Sequence, residues 1–240
     1  KLDIVFLLRP TLFFSVWVMV AIGMASAKMH LVNHPLWITE LSWKTFLVFM
    51  GLTFVSSSAF ILNQISDEES DAVNKKLFLV GKHISPERSR SISKILLFAG
   101  IVISLIANWF TAILVGCIYV IWGMLYNQKP FNWKKKPILG WLANSIVGVL
   151  LFIIGWSLVM KNHSGNELVI LDMSLFKYLL PYLLCFSSVA LLTTLPDMKG
   201  DAELGDNTFP VVFGKTPTMV LSLILICAAF LFALNQGDPL

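Results

Sequence analysis

Charge is the scarcest property of this chain: only 13% of its residues are Asp, Glu, Lys or Arg. Histidine and cysteine are also few, at four and three. Cys117, Cys185 and Cys227 form no CxxC or Cys/His pattern, so metal and redox roles have no ligand set among them. Each lies in an apolar run and is expected to be a small core side chain. No polar stretch is long enough to fold as a soluble domain, which leaves nucleic acid without a binding surface despite a net charge of +4. The apolar runs lack the strict alternation of a membrane β-strand, which argues against a barrel.

What the chain has in excess is apolar sequence. Hydrophobic residues make up 57%, the mean hydropathy is +0.78, and runs of about 20 apolar residues recur. The expected fold class is all-α, a polytopic transmembrane helix bundle, because unpaired backbone groups are costly in lipid. Seven helices are expected at roughly 10–27, 45–66, 94–110, 111–127, 138–160, 175–196 and 217–235, the third and fourth joined by a short turn near Asn108-Trp109. Lys1, Arg9, an apolar run and "ASA" at 25–27 together resemble a signal peptide, but the remaining six runs require membrane insertion either way. "NHS" at 162–164 matches a glycosylation sequon, a pattern too short to weigh much.

Lys and Arg set the expected orientation. Fourteen of the eighteen lie in the N-terminal segment, at Lys94, or in the loops 67–93, 128–137 and 197–216, against Lys28, Lys44, Lys161 and Lys177 on the other side. This bias places the N-terminus and the acid-rich loops in the cytoplasm or its equivalent. The positive net charge then serves topology and anionic lipid headgroups.

The acids are concentrated. Eight of the fourteen form two short clusters, Asp67, Glu68, Glu69, Asp71 and then Asp197, Asp201, Glu203, Asp206, each closing a long apolar run. Asp67 and Asp71 are four apart, as are Asp197 and Asp201; if the helices continue, each pair shares a face, and Asn63 extends the first face by a turn. Both pairs are offset by the same 130 residues. That suggests one domain over 1–240 built of two related halves, about 1–127 and 138–240. A complete second half would need an eighth helix, and the chain opens on Lys1 rather than Met, so it is expected to be trimmed, at its C-terminal end, from a longer protein.

Paired carboxylates repel and call for protons or a cation. With oxygen ligands and no His or Cys nearby they suit Mg²⁺ over Zn²⁺, and Mg²⁺ typically combines one or two carboxylates with substrate phosphate. Lys75, Lys76, Lys82, Arg88, Arg90 and the "KKK" at 134–136 are candidates to neutralise the same anion. The plainer reading, solvated charges acting as stop signals, does not account for the repeated four-residue spacing.

At these residues the sequence resembles the UbiA superfamily of intramembrane prenyltransferases. "NQISDEESD" keeps Asn63, Asp67 and Asp71 of that family's NDxxDxxxD motif, and "DMKGDAELGDNTFPVVFGK" keeps Asp197, Gly200, Asp201, Gly205, Thr208 and Gly214 of its second, DxxxD, region. "LLRP" at 7–10, "VNKKLFLVGKHIS" at 73–85 and "YNQKPFNWKKKP" at 126–137 are similar to its helix-one opening, its Asn-Lys-Pro segment and its Tyr-Ser loop. Departures are Gln64 where an acid is usual, Ala72 and Ala202 where basic residues often follow, and Lys76 and Phe78 where Pro and Arg are common.

The resemblance implies a nine-helix bundle, seven helices of it in this chain, with a cavity open to the membrane. It implies Mg²⁺ as cofactor, bound by Asn63 and Asp67 and by Asp197 and Asp201, with Asp71 completing the first site or positioning the acceptor. Lys75, Tyr126 and Lys134 would hold a prenyl diphosphate, and Arg9 would assist near a small lipid-soluble, aromatic acceptor. Asn144 would face the cavity or serve as a structural Asn between helices. Loss of diphosphate would leave an allylic cation shielded by aromatic rings, and the attacking acceptor would give its proton to Asp71 or Asp201. A terpene cyclase on the same scaffold, a transporter and a non-catalytic scaffold are the alternatives; the acids' place at helix ends disfavours the transporter.

Overall fold

The structure, a computed structural model, describes residues 2–32, 42–74, 79–164 and 173–236. Lys75, Lys76 and Phe78 lie outside them. In chain order the helices are α1 (Leu2–Leu7), α2 (Phe13–Val32), α3 (Trp43–Ser66), α4 (Glu68–Val73), α5 (Pro86–Ala107), α6 (Trp109–Tyr119), α7 (Pro137–Ser164), α8 (Met173–Leu192), α9 (Met198–Glu203), α10 (Phe209–Phe213) and α11 (Lys215–Gln236). A π-helical segment, Val120–Tyr126, continues α6. Among the described residues there is no strand, only an isolated bridge between Val80 and Ile84.

Among the described residues seven helical spans are long and apolar enough to cross a membrane, as the sequence predicts. The third begins at Pro86, well before residue 94, and the reason is local. Ser85 caps it by accepting from the Arg88 amide at 3.3 Å, Pro86 occupies the first turn, and Glu87 follows. The apolar run marks where lipid would begin, not where the helix does. The turn between α5 and α6 is where expected: Asn108 is extended, and its Oδ1 accepts from the Phe110 amide at 2.9 Å to start the next helix.

Helices pack chiefly as α3 on α5, α2 on α7 and α8 on α11. Close approach depends on missing side chains. A Cβ on Gly155 would lie 1.9 Å from the Val20 carbonyl oxygen, and one on Gly23 would lie 2.2 Å from that of Phe152, so α2 and α7 meet nearly backbone to backbone. The core lies between helices and centres on fully buried Leu52, Leu151, Phe152, Ile154 and Trp156. The cysteines depart from expectation: Cys117, Cys185 and Cys227 are all exposed on the outside of the bundle. Lipid is as apolar as a core, so an apolar run does not say which way its cysteine points.

Both acid clusters sit where a long helix breaks, which corrects the assumption of continuous helices. Asp67 terminates α3 with φ −104°, and α4 starts at Glu68, though the Asp71 amide still bonds the Asp67 carbonyl at 2.8 Å. After α8 a 3₁₀ turn, Leu195–Asp197, leads into α9. Each long helix is thus followed by a six-residue helix carrying the second acid of its pair, and these two short helices, α4 and α9, pack against each other.

Candidate active site

The first cluster is organised around Asn63. Its Nδ2 donates to Asp67 Oδ2 at 2.7 Å and to Asn127 Oδ1 at 3.1 Å. Arg9 reaches in from the segment between α1 and α2, donating to Asn63 Oδ1 at 3.3 Å and to the buried Asp71 Oδ2 at 3.5 Å. Arg9 itself has φ 52° and ψ 60°. That left-handed conformation costs a non-glycine residue roughly 1–2 kcal/mol. Asn63 and Asp71 fix the guanidinium it presents. On the other side Lys134 pairs with Asp67 and donates to the Ser66 hydroxyl.

The second cluster comes alongside. Asp201 and Asp206 are buried, and Asp197, Asp206 and Asp67 all lie near enough to act on Asp201 electrostatically. Carboxylates from both motifs therefore share one local field. Lys135, next to Lys134, pairs with Asp206 at 2.6 Å. The Tyr126 hydroxyl stands beside Asn144 and within electrostatic reach of Asp67, Asp201 and Asp197. Asn144 accepts from Trp122 Nε1 at 2.9 Å and donates to the Gly140 carbonyl at 3.1 Å. It therefore has a structural bonding role while lying at the site's edge. A narrow pocket lined by Tyr126, Lys134, Trp141, Thr194 and Phe209 opens here.

Asn63, Asp67, Asp71, Asp197, Asp201, Tyr126, Lys134, Arg9 and Asn144 are thus gathered at one end of the bundle, whereas Lys75 lies outside the described residues. Among the described residues no group of three or more His, Cys, Asp or Glu is placed to hold a metal ion unaided. The donor set still fits Mg²⁺: it is all oxygen, comes from two facing elements, and needs only one or two carboxylates when phosphate supplies further ligands. Cationic side chains already sit on three of the acids, Arg9 on Asp71, Lys134 on Asp67 and Lys135 on Asp206.

Several contributors were not legible beforehand. Buried Asn127 ties Asn63 to the π-helical segment, donating to the Trp122 carbonyl at 2.6 Å. Asn74 crosses from the end of α4 to the second motif, its Oδ1 accepting from the Gly200 amide at 3.0 Å and its Nδ2 donating to the Asp197 carbonyl at 3.4 Å. Gly200 leaves it room, since a Cβ there would lie 2.5 Å from Asn74 Nδ2. Asn74 had been visible only as part of the Asn-Lys-Pro likeness, and Asn127 had no signal beyond its place after Tyr126.

Two acid motifs meeting at the broken ends of membrane helices agree with what comparison finds, since the UbiA prenyltransferase family model matches residues 16–239. The chain belongs to the UbiA prenyltransferase family. Among its UbiA relatives, a 2-acyl-4-prenylphloroglucinol 6-prenyltransferase of Humulus lupulus is 28% identical over 180 residues, 72% of this chain and 41% of that protein. A digeranylgeranylglyceryl phosphate synthase of Methanobrevibacter smithii is 23% identical over 188 residues, 75% of this chain and 62% of that protein. The chain therefore spans less than two thirds of the length of either. A UbiA homologue of Archaeoglobus fulgidus, solved with DMAPP and Mg²⁺, superposes with a TM-score of 0.69 at 15% identity, over 98% of this chain and 86% of that one, and so shares its fold.

Proposed function

We propose that this UbiA-family chain carries the active site of an integral membrane, Mg²⁺-dependent prenyltransferase, which moves a polyprenyl group from a prenyl diphosphate to a lipid-soluble, aromatic acceptor. The observation that carries this reading is the convergence of carboxylates from both motifs on one another and on Tyr126 and Lys134, the two residues that line the adjoining narrow pocket. The family match supports it, as do the prenyltransferase names of the relatives and the DMAPP and Mg²⁺ in the Archaeoglobus homologue. The domain would comprise two related halves, and its acid-bearing end would face the cytoplasm or its equivalent, as the Lys and Arg bias suggests.

In this reading Asn63 and Asp67 from one motif, and Asp197 and Asp201 from the other, hold Mg²⁺. When bound, Mg²⁺ supplies the positive charge that a departing diphosphate needs. Lys134 exchanges Asp67 for diphosphate oxygen and Tyr126 donates to the same anion, with Lys75 a further candidate cation for it by the sequence resemblance. Trp141 and Phe209, whose rings meet at 6.0 Å on the pocket wall, screen the allylic cation from water. Arg9 holds Asp71 beside the acceptor, and Asp71 or Asp201 receives the acceptor's proton as the new carbon bond forms. Membrane helices suit such a reaction because the prenyl tail is as apolar as the bilayer.

The test is a product assay: membranes containing the full-length protein, Mg²⁺, labelled prenyl diphosphates of several lengths and mixed aromatic acceptors, read by mass spectrometry. A product of acceptor-plus-prenyl mass is expected. Release of diphosphate with only hydrocarbon or prenyl alcohol, across all acceptors, would replace transfer with cyclisation or hydrolysis.

A further inference from the structure

A second cavity of about 530 Å³ lies between α3, α5 and the loop after Tyr126. None of its lining residues lines the pocket of Tyr126 and Lys134. Arg90 and Lys94, from the start of α5, and Lys129 and Lys135, from the loop, surround it, and no acid lines it. Lys135 is held by Asp206, but no ion pair among the described residues engages Arg90, Lys94 or Lys129. Arg90, grouped in sequence with cations for the diphosphate, lines this cavity. Asn132, also in its wall, has a buried side-chain oxygen with no hydrogen-bond partner. An amide turned about its last bond would offer donors to an anion at that place.

What an anion here would be attached to follows from α5. Arg90, Lys94, Phe98, Val102 and Leu105 follow one another at spacings of four or three and so lie along one side of the helix. Phe98, Val102 and Leu105 are exposed by 73%, 38% and 54%. Buried Ser93, Gly100 and Ser104, on a different side of α5, pack on α3. Two cations at the helix start, continued by an open apolar stripe, match a phosphate headgroup with its acyl chain, whereas a soluble phosphate would make no use of the stripe. Basic pockets between membrane helices are known binders of anionic headgroups. We propose that this cavity binds the phosphate of an anionic phospholipid, whose chains lie along the exposed side of α5. The same loop carries Lys134, so the lipid would steady the segment that supplies that residue to the acid site. The lipid site does not depend on the transferase reading.

The experiment compares thermal unfolding of the full-length protein in detergent with added phosphatidylglycerol, phosphatidylcholine or inorganic phosphate. Phosphatidylglycerol is expected to raise the midpoint, and the other two are not. The combined variant Arg90→Gln, Lys94→Gln, Lys129→Gln is expected to need at least about tenfold more phosphatidylglycerol for the same shift. A matched variant, Lys82→Gln, Lys199→Gln, Lys215→Gln, loses equal charge elsewhere and should respond like wild type. Equal shifts from both phospholipids, an equal loss in the matched variant, or a full shift from inorganic phosphate would each overturn the proposal. Should the combined variant fail to fold, Lys94→Glu alone carries the same expectation, and the wild-type lipid comparison stands by itself.

Discussion

Gln64 stands where the family usually has an acid, and its side chain does not serve the acid cluster. It is buried, and its Nε2 donates to the Leu7 carbonyl at 2.7 Å, fastening the end of α1 to α3. A carboxylate in that position would set two acceptors face to face. Gln64→Glu is therefore expected to destabilise the free protein by about 1–3 kcal/mol, seen as a lowered thermal midpoint near neutral pH. An unchanged midpoint would mean that the bond contributes nothing. Lys134 makes the contrasting case, since its partners Asp67 and Ser66 belong to the candidate site. Lys134→Met should lower kcat/KM by about 10²-fold or more, while leaving the unliganded protein folded. The acids proposed for the site, Asp67, Asp71, Asp197 and Asp201, stand out in the sequence because acids are so rare in this chain, and Asn63 because it extends their four-residue spacing. Asn127 and Asn74 do not, because isolated amides carry no periodic signal.

At the scale of elements, the two acid motifs are joined by α4 packing on α9, and Asn74 makes a polar link between them. Asn74→Ala is expected to weaken the Mg²⁺ dependence of diphosphate binding: the half-saturating Mg²⁺ concentration should rise several-fold, with overall helicity unchanged. Gly200→Val should act in the same direction, because its Cβ would strike the Asn74 amide. Normal Mg²⁺ titrations in both variants would show that the link has no bearing on the site. Helix positions could be read from apolar runs, and the turn at Asn108 from the polar residue between two of them. The start of α5 does not show in its apolar run because its cap, Ser85-Pro86-Glu87, lies in polar sequence ahead of the run. The break at Asp67 is hidden for another reason: four-residue spacing survives a turn that keeps the Asp71–Asp67 backbone bond across it.

For the whole molecule, the bilayer explains both the legible and the illegible. A chain this apolar has to place its few charges together at helix ends, so the place of the candidate site in the fold follows from composition. Which side of each helix faces its neighbours did not follow, because lipid and core are equally apolar; the outward-facing cysteines are the clearest instance. Helix approach is set instead by glycines such as Gly23 and Gly155. Gly155→Leu is expected to prevent α2 from seating on α7 and to abolish folded yield in membranes. The central claim is that the two acid motifs act as one site for a Mg²⁺-bound diphosphate. It is tested most directly by thermal stabilisation of the full-length protein with a prenyl diphosphate, with and without Mg²⁺, in wild type and in Asp67→Asn/Asp197→Asn. The account predicts a Mg²⁺-dependent rise in the wild-type midpoint and none in the double variant, whose unliganded fold is retained. An equal rise in both proteins would contradict it.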